Sequence, residues 1–178
     1  MFNSKTKKLA MDSMLAAMCA VLGYLSLDFG SLKITFESVP ILLGALLLGP
    51  IDGMAIGGVG TLLYQLVRYG VSVTTPLWIL PYVLCGLVVG LGAARRGFQL
   101  SRRQSAALII GGELLITLLN TVTLYIDSRV YGYYYPGFIL APLALRVAIC
   151  VGKAAVFSVL LPQLAGSVGR AVSPQRSK

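Results

Sequence analysis

Histidine is absent from the 178 residues, and acidic residues are scarce, with six Asp and Glu in total. These carboxylates include no closely spaced pair, so metal-dependent or paired-carboxylate catalysis has few candidates; they are Asp12, Asp28, Glu37, Asp52, Glu113 and Asp127. No phosphate-binding loop of the form GxxxxGK(S/T) occurs. The sequence therefore predicts a protein that is not an enzyme, that needs no metal or cofactor, and that takes any ATP-derived energy from a partner.

Charged residues are also few, at 12% of the chain compared with about 25% in soluble domains. Hydrophobic residues make up 57% of the chain, and the mean hydropathy is +0.83. This composition predicts an integral membrane protein with a single domain across residues 1–178. Cys19, Cys85 and Cys150 are odd in number and lie in apolar stretches, so neither a disulfide framework nor a zinc site is expected.

Apolar runs along the chain predict an all-α bundle of six transmembrane helices, at about residues 8–28, 38–49, 51–69, 76–94, 104–126 and 136–165. The second run is too short to cross a hydrocarbon layer of about 30 Å, so we expect it to tilt or to break at Pro50. We interpret the first run as a span rather than a signal peptide, because no clear small-residue cleavage site follows it.

The net charge of +9 is explained by the membrane topology rather than by nucleic acid. With six spans, three basic groups fall on one side of the membrane: Lys5, Lys7 and Lys8; Arg95, Arg96, Arg102 and Arg103; and Arg170, Arg176 and Lys178. Cytoplasmic loops carry the excess of Lys and Arg, so both termini are expected in the cytoplasm and the protein in the cell membrane.

Small residues recur every four positions in several spans, which allows helices to approach closely. They are Ala16 with Ala20, then Gly49, Gly53 and Gly57, then Gly86 with Gly90. We expect the glycines of the third and fourth spans to pack within the monomer.

Two cations, Arg146 and Lys153, fall inside the sixth span, where a charge is costly unless it has a partner. Glu113 in the fifth span lies at a depth comparable with that of Lys153, so an ion pair between them is expected. Arg146 has no carboxylate at a matching depth in this prediction, which leaves an anionic ligand or backbone carbonyls as its partners.

Aromatic residues concentrate in the half of the bundle that the topology places outside, including Tyr64, Trp78 and Tyr82. An interfacial belt would show aromatics at both faces of the membrane. The asymmetry favours an outward-facing aromatic pocket that stacks on a flat ring, with Arg68, Arg129 or Arg146 available for a carboxylate.

The chain resembles the substrate-binding S components of energy-coupling factor (ECF) vitamin transporters, and among them the folate-type family. The resemblance covers nearly the whole chain and rests on four segments: Lys33-Ile34-Thr35-Phe36 with Val39 to Gly44, Leu48-Gly49-Pro50, Leu118 to Thr121, and Leu145-Arg146. It implies six helices, an outward-facing pocket closed by loops, and an ECF module of a transmembrane coupling subunit and two ATPase subunits in a bacterial membrane. Ala16 and Ala20 match the alanine-rich face of the first helix that meets the coupling subunit.

The substrate-binding residues expected on this basis are Phe36, Tyr64, Gln65, Arg68, Trp78, Asn120 and Arg146. Two segments depart from the folate-type pattern: no aspartate stands near Thr61, and Val73 to Trp78 is not rich in Pro and Phe. Queuine or another pterin-like base is therefore a rival to folate as the substrate. A small membrane scaffold or regulatory protein without a ligand, and an intramembrane enzyme, are the alternatives from other functional classes.

Overall fold

The protein is a helical bundle with one short hairpin, seen in a computed structural model that describes residues 4–29, 32–135, 137 and 143–172. The elements are α1 (Ser4–Tyr24), β1 (Leu27–Phe29), β2 (Leu32–Ile34), α2 (Ser38–Leu47), α3 (Pro50–Tyr69), α4 (Thr75–Ala94), α5 (Arg102–Val130) and α6 (Leu143–Val172). The six helices among the described residues confirm the predicted bundle. Three of these helices are long and apolar enough to cross a membrane by length and composition, namely α4, α5 and residues Leu143–Gly166 of α6.

The first predicted span is too long at its end, because the chain leaves the helix after Tyr24. Leu27–Phe29 instead pairs antiparallel with Leu32–Ile34 in a two-stranded hairpin. Its signal in the sequence is the alternation Leu-Asp-Phe and Leu-Lys-Ile around Gly-Ser, a dipeptide typical of tight hairpin turns.

The last span is predicted at 136–165, and its described helix extends beyond the end of that range. Residues 136 and 138–142 lie outside the described part of the chain, and the helix continues to Val172. The side chains of the basic C-terminal tail lie outside the described residues as well.

The second helix is a short central element, as its length predicts. At ten residues, α2 spans about 15 Å, half of the hydrocarbon core. It ends before Gly49, whose φ of 115° is open to glycine but strained for other residues, and Pro50 then opens α3. Ile41, Leu42 and most other α2 residues are buried, so α2 is the hydrophobic centre around which the longer helices pack.

Helices α3 and α4 are in direct backbone contact through their glycines. A Cβ placed on Gly57 would lie 2.7 Å from the carbonyl oxygen of Tyr82, and one on Gly90 would lie 2.4 Å from the Cα of Pro50. The expected packing of these glycines within the monomer is confirmed.

One end of the bundle carries basic groups. Lys8 of α1 forms an ion pair with Asp52 at the start of α3, with 2.9 Å between Nζ and Oδ2. The segment between α4 and α5 lies at the same end, since the Phe98 ring sits 3.5 Å from the position that a Cβ on Gly49 would take. Ser101 is the N-cap of α5 and forms a capping box with Gln104.

Candidate functional site

A cavity of about 570 Å³ opens between α3, α4, α5 and α6, within the range of small-molecule sites. Its mouth lies at the start of α4 and the end of α5, opposite the basic segment that joins α4 to α5. The lining residues are Thr35, Glu37, Tyr64, Gln65, Tyr69, Ser72, Thr74, Trp78, Tyr82, Glu113, Ile116, Thr117, Asn120, Thr121, Leu124, Asp127, Tyr131, Arg146, Ile149, Cys150 and Lys153.

Helix α5 supplies a row of polar groups from the deep end of the cavity to its mouth. Glu113, Asn120 and Asp127 are seven residues apart, which places them on one face of the helix at intervals of about 10 Å. Helix α6 faces this row with Arg146 and Lys153, which are also seven residues apart. The cavity is therefore lined by acids and an amide on one wall and by two cations on another.

A buried ion pair forms the deep end of the cavity. Lys153 Nζ lies 3.0 Å from Glu113 Oε2, and the two side chains are 14% and 1% exposed. The ion pair expected from the sequence is confirmed. The second oxygen, Glu113 Oε1, is buried and has no hydrogen-bond partner in the described part of the protein.

A hydrogen-bonded chain crosses the middle of the cavity. Asn120 Nδ2 lies 3.3 Å from the Tyr82 hydroxyl, which in turn donates to Glu37 Oε1. Glu37 and Tyr82 are 1% and 6% exposed, so this chain is shielded from solvent. Asn120 Oδ1 is buried and, among the residues described, has no hydrogen-bond partner. Consecutive spans run in opposite directions, so Arg146 lies level with Asn120, about 10 Å outward from the ion pair.

Asp127 joins the segments at the mouth of the cavity. Its Oδ1 accepts hydrogen bonds from the Thr74 hydroxyl and from Trp78 Nε1, and its Oδ2 accepts one from the Tyr133 hydroxyl. Partial burial raises the pKa of Tyr133, and the hydrogen bond to Asp127 adds to this, so Tyr133 is a donor at neutral pH. One carboxylate thus connects the α3–α4 loop with the segment that follows α5.

Five of the seven residues predicted to bind substrate come together in the cavity lining: Tyr64, Gln65, Trp78, Asn120 and Arg146. Their role in binding stays a prediction. The other two, Phe36 and Arg68, are not among the lining residues. Phe36 packs on Phe157, with ring centroids 6.3 Å apart, and is 40% exposed.

Arg68 is not among the residues that line the cavity, and its guanidinium is bound at the end of α1. Its Nη1 donates to the Tyr24 carbonyl oxygen at 2.8 Å and to Ser26 Oγ at 2.7 Å. Arg129 lies over the ring of Tyr134 at 4.1 Å from the centroid. The described cations of the cavity lining are therefore Arg146 and Lys153 alone.

Several lining residues are absent from the predicted substrate-binding set, namely Glu37, Tyr82, Glu113, Asp127 and Lys153. The seven-residue spacing of Glu113, Asn120 and Asp127 is the sequence signal that could have identified the acidic members, because it puts all three on one helical face. Glu37 has no such signal, since it enters the cavity from the turn between β2 and α2.

The two alanines expected to meet a coupling subunit differ in exposure. Ala16 is 7% exposed and packs within the monomer, since a Cβ on Gly60 of α3 would lie 2.9 Å from the Ala16 carbonyl oxygen. Ala20 is half-buried, while Ala17 and the neighbouring Met14 and Met18 are exposed. The open face of α1 is therefore centred on Ala17 rather than on Ala16.

Comparison with known proteins gives consistent matches in sequence and in fold. The family model described as "ECF transporter, substrate-specific component" matches residues 7–170. The riboflavin transporter FmnP of Bacillus subtilis (strain 168) is 25% identical over 154 residues, which are 83% of this chain and 80% of that protein.

Two solved structures share the fold. The S component of a bacterial ECF transporter superposes with a TM-score of 0.66 at 20% identity, covering 96% of this chain and 99% of that one. The S-component for biotin from an ECF-type ABC transporter gives a TM-score of 0.66 at 18% identity, covering 92% and 94%. At these identities the structural likeness establishes the fold.

Proposed function

This chain belongs to the family of substrate-specific components of ECF transporters, and we propose that it captures folate or a related pterin-like heterocycle for ATP-driven uptake. Such components bind a transported substrate and are not enzymes. The observation that carries the proposal is the cavity, where aromatic rings, buried acceptors and two cations face one space of about 570 Å³.

Folate has a flat fused ring with N–H donors at one end and carboxylates at the other, and each part has a counterpart in the cavity. Trp78, Tyr64 and Tyr82 offer faces or edges to a planar ring. Glu113 Oε1 and Asn120 Oδ1 are buried acceptors without a hydrogen-bond partner among the described residues, and N–H groups of a ligand would supply one. Arg146, nearer the mouth, offers a bidentate site for a carboxylate.

The orientation of the cavity supports uptake from outside. The mouth lies at the end opposite Lys8 and residues 95–103. Basic segments mark the cytoplasmic side, so the mouth opens outward and the N-terminal helix begins in the cytoplasm. We expect the energy for transport to come from an ECF module with a transmembrane coupling subunit and two ATPase subunits.

Riboflavin is a second candidate, favoured by the similarity to the riboflavin transporter of Bacillus subtilis. It is also flat, but it carries no carboxylate, so it gives Arg146 no anionic partner. Queuine, a deazaguanine with an amine side chain, likewise lacks a carboxylate. Binding measurements with the three ligand types separate these alternatives.

The direct test uses purified protein in detergent with folate, 5-formyltetrahydrofolate, riboflavin, queuine and biotin. Trp78 is the single tryptophan of the chain and lines the cavity, so its fluorescence reports binding, and thermal unfolding gives an independent measure. We expect a folate at 1,000 times its Kd to stabilise the protein by about 4 kcal/mol. Stabilisation by riboflavin alone would replace the folate proposal with the riboflavin one. If none of the five ligands stabilises the protein, a membrane scaffold protein without a ligand would be favoured.

Replacing Arg146 by methionine is expected to weaken folate binding about 10- to 100-fold, because a charge-assisted bond to a carboxylate contributes about 1.5–3 kcal/mol. Binding of 6-hydroxymethylpterin, which has the same ring but no carboxylate, should change less than about threefold. Isothermal titration calorimetry with both ligands measures this difference. An equal loss for both ligands would show that Arg146 shapes the cavity and does not bind the carboxylate.

We also propose that the coupling subunit meets the exposed face of α1 around Ala17 and Ala20. Small residues there allow another helix to approach closely. An Ala17→Trp variant is expected to lose co-purification with the co-expressed ECF module of the same organism while it keeps its affinity for substrate. Leu118→Trp, on an exposed face of α5, is the control, and equal co-purification of both variants would contradict the placement.

A further inference from the structure

We propose that Glu113 and Lys153 act as one unit that reads the hydrogen-bonding edge of the heterocycle and selects a 2-amino-4-oxo pyrimidine ring. In this arrangement Glu113 Oε1 accepts from the ring N–H and the 2-amino group, and Lys153 donates to the 4-oxo group. The inference rests on the proposed function, which it deepens by assigning the part of the ligand that is recognised at depth.

The first support is the unequal use of the two Glu113 oxygens. Oε2 lies 3.0 Å from Lys153 Nζ, whereas Oε1 is buried without a hydrogen-bond partner in the described residues. Buried carboxylate oxygens are normally satisfied by donors, so an orphaned one on a residue that lines a cavity marks the place of a ligand donor. Lys153 carries three N–H donors, one of which suffices for Glu113.

The second support is the apolar surrounding of the pair. Ile116 lies one helical turn from Glu113 on α5, Ile149 and Cys150 lie one turn from Lys153 on α6, and all three line the cavity. Thr117 directs its hydroxyl to the backbone carbonyl of Glu113 at 2.9 Å, so its proton is already used within the helix. A ring at the deep end therefore meets the ion pair among apolar side chains, and the order of acceptor and donor in this pair decides which ring edge fits.

The order of groups on the ligand edge distinguishes ring types. A pterin edge presents an oxygen acceptor, a ring N–H donor and an amino donor in sequence. The edge of lumazine, the 2-oxo analogue of pterin, presents an acceptor, a donor and a second acceptor, as a flavin does. A carboxylate beside an ammonium complements the pterin edge, whereas the 2-oxo group would face the carboxylate with two acceptors opposed.

The test compares the affinities of 6-hydroxymethylpterin and 6-hydroxymethyllumazine, which differ at the 2-position. We expect the wild-type protein to prefer the pterin by at least about tenfold. In Glu113→Gln the side chain offers one acceptor and one donor. The pterin should therefore lose at least about tenfold in affinity and the preference should fall to about threefold or less. Asp52→Asn, which removes the carboxylate of an ion pair outside the cavity, should leave the preference unchanged.

The outcomes separate this inference from the proposed function. If a folded Glu113→Gln variant still binds folate or pterin tightly and keeps the same preference for pterin over lumazine, Glu113 does not select the ring edge. The proposed function would be unaffected by that result. Equal wild-type affinities for the two ligands would also overturn it, without any need for a variant. If no pteridine binds the wild-type protein, the proposed function and the inference both fall.

Discussion

Replacing Lys153 by methionine is expected to destabilise the protein by about 3–5 kcal/mol, because it leaves a carboxylate buried in a membrane protein without its counter-charge. Glu113 is 1% exposed, so without the lysine its carboxylate has neither a counter-charge nor contact with bulk water. Methionine keeps most of the length and volume of the lysine side chain, so the expected loss comes from charge and not from packing. Thermal or denaturant unfolding in detergent measures it.

Two further variants show whether the pairing is the cause. Glu113→Leu combined with Lys153→Met removes both charges, and it should recover most of the loss, since an apolar pair of similar volume replaces a buried ion pair at little cost. Lys8→Met breaks the Lys8–Asp52 pair, whose lysine is 50% exposed, and should cost no more than about 1 kcal/mol. A Lys153→Met variant as stable as Lys8→Met would contradict the buried pair.

The bundle could be predicted from the sequence because its strongest signals are local. Runs of apolar residues set the helices, and Pro50 after Gly49 predicts the break that ends the short second helix. The hairpin of Leu27–Phe29 and Leu32–Ile34 is not predicted, because its alternation around Gly-Ser covers only three residues in each strand and is outweighed by the apolar run that precedes it.

The site was predictable only in part, because tertiary packing decides which side chains of a helix face the cavity. Trp78, Asn120 and Arg146 face the cavity as expected, whereas Arg68 turns to the carbonyl oxygen of Tyr24, a partner 44 positions away that no local pattern reveals. The difference between Ala16 and Ala17 has the same origin. Both alanines could form part of a face of small residues. The contact of α1 with Gly60 of α3 buries Ala16 and leaves Ala17 exposed.

The glycines between α3 and α4 connect this packing to the site. Gly53 and Gly86 bring the two helix backbones together below the cavity, and the same helices carry Tyr64 and Trp78 into its lining. A change that separates the backbones must therefore alter the distance between the aromatic walls, even though neither glycine touches the cavity.

Gly86→Ala is accordingly expected to destabilise the bundle by about 3 kcal/mol or more and to weaken ligand binding with it. The new Cβ would lie 2.2 Å from the carbonyl oxygen of Gly53 and 2.7 Å from the amide nitrogen of Met54, and backbone atoms cannot rotate away as a side chain can. Gly111→Ala is the matched control, because nothing lies within 4 Å of its Cβ, and alanine there should stabilise α5 by up to about 1 kcal/mol. The two substitutions add the same methyl group to a membrane helix, so opposite shifts in the unfolding temperature isolate the α3–α4 contact. Equal shifts would mean that the two backbones are not in contact.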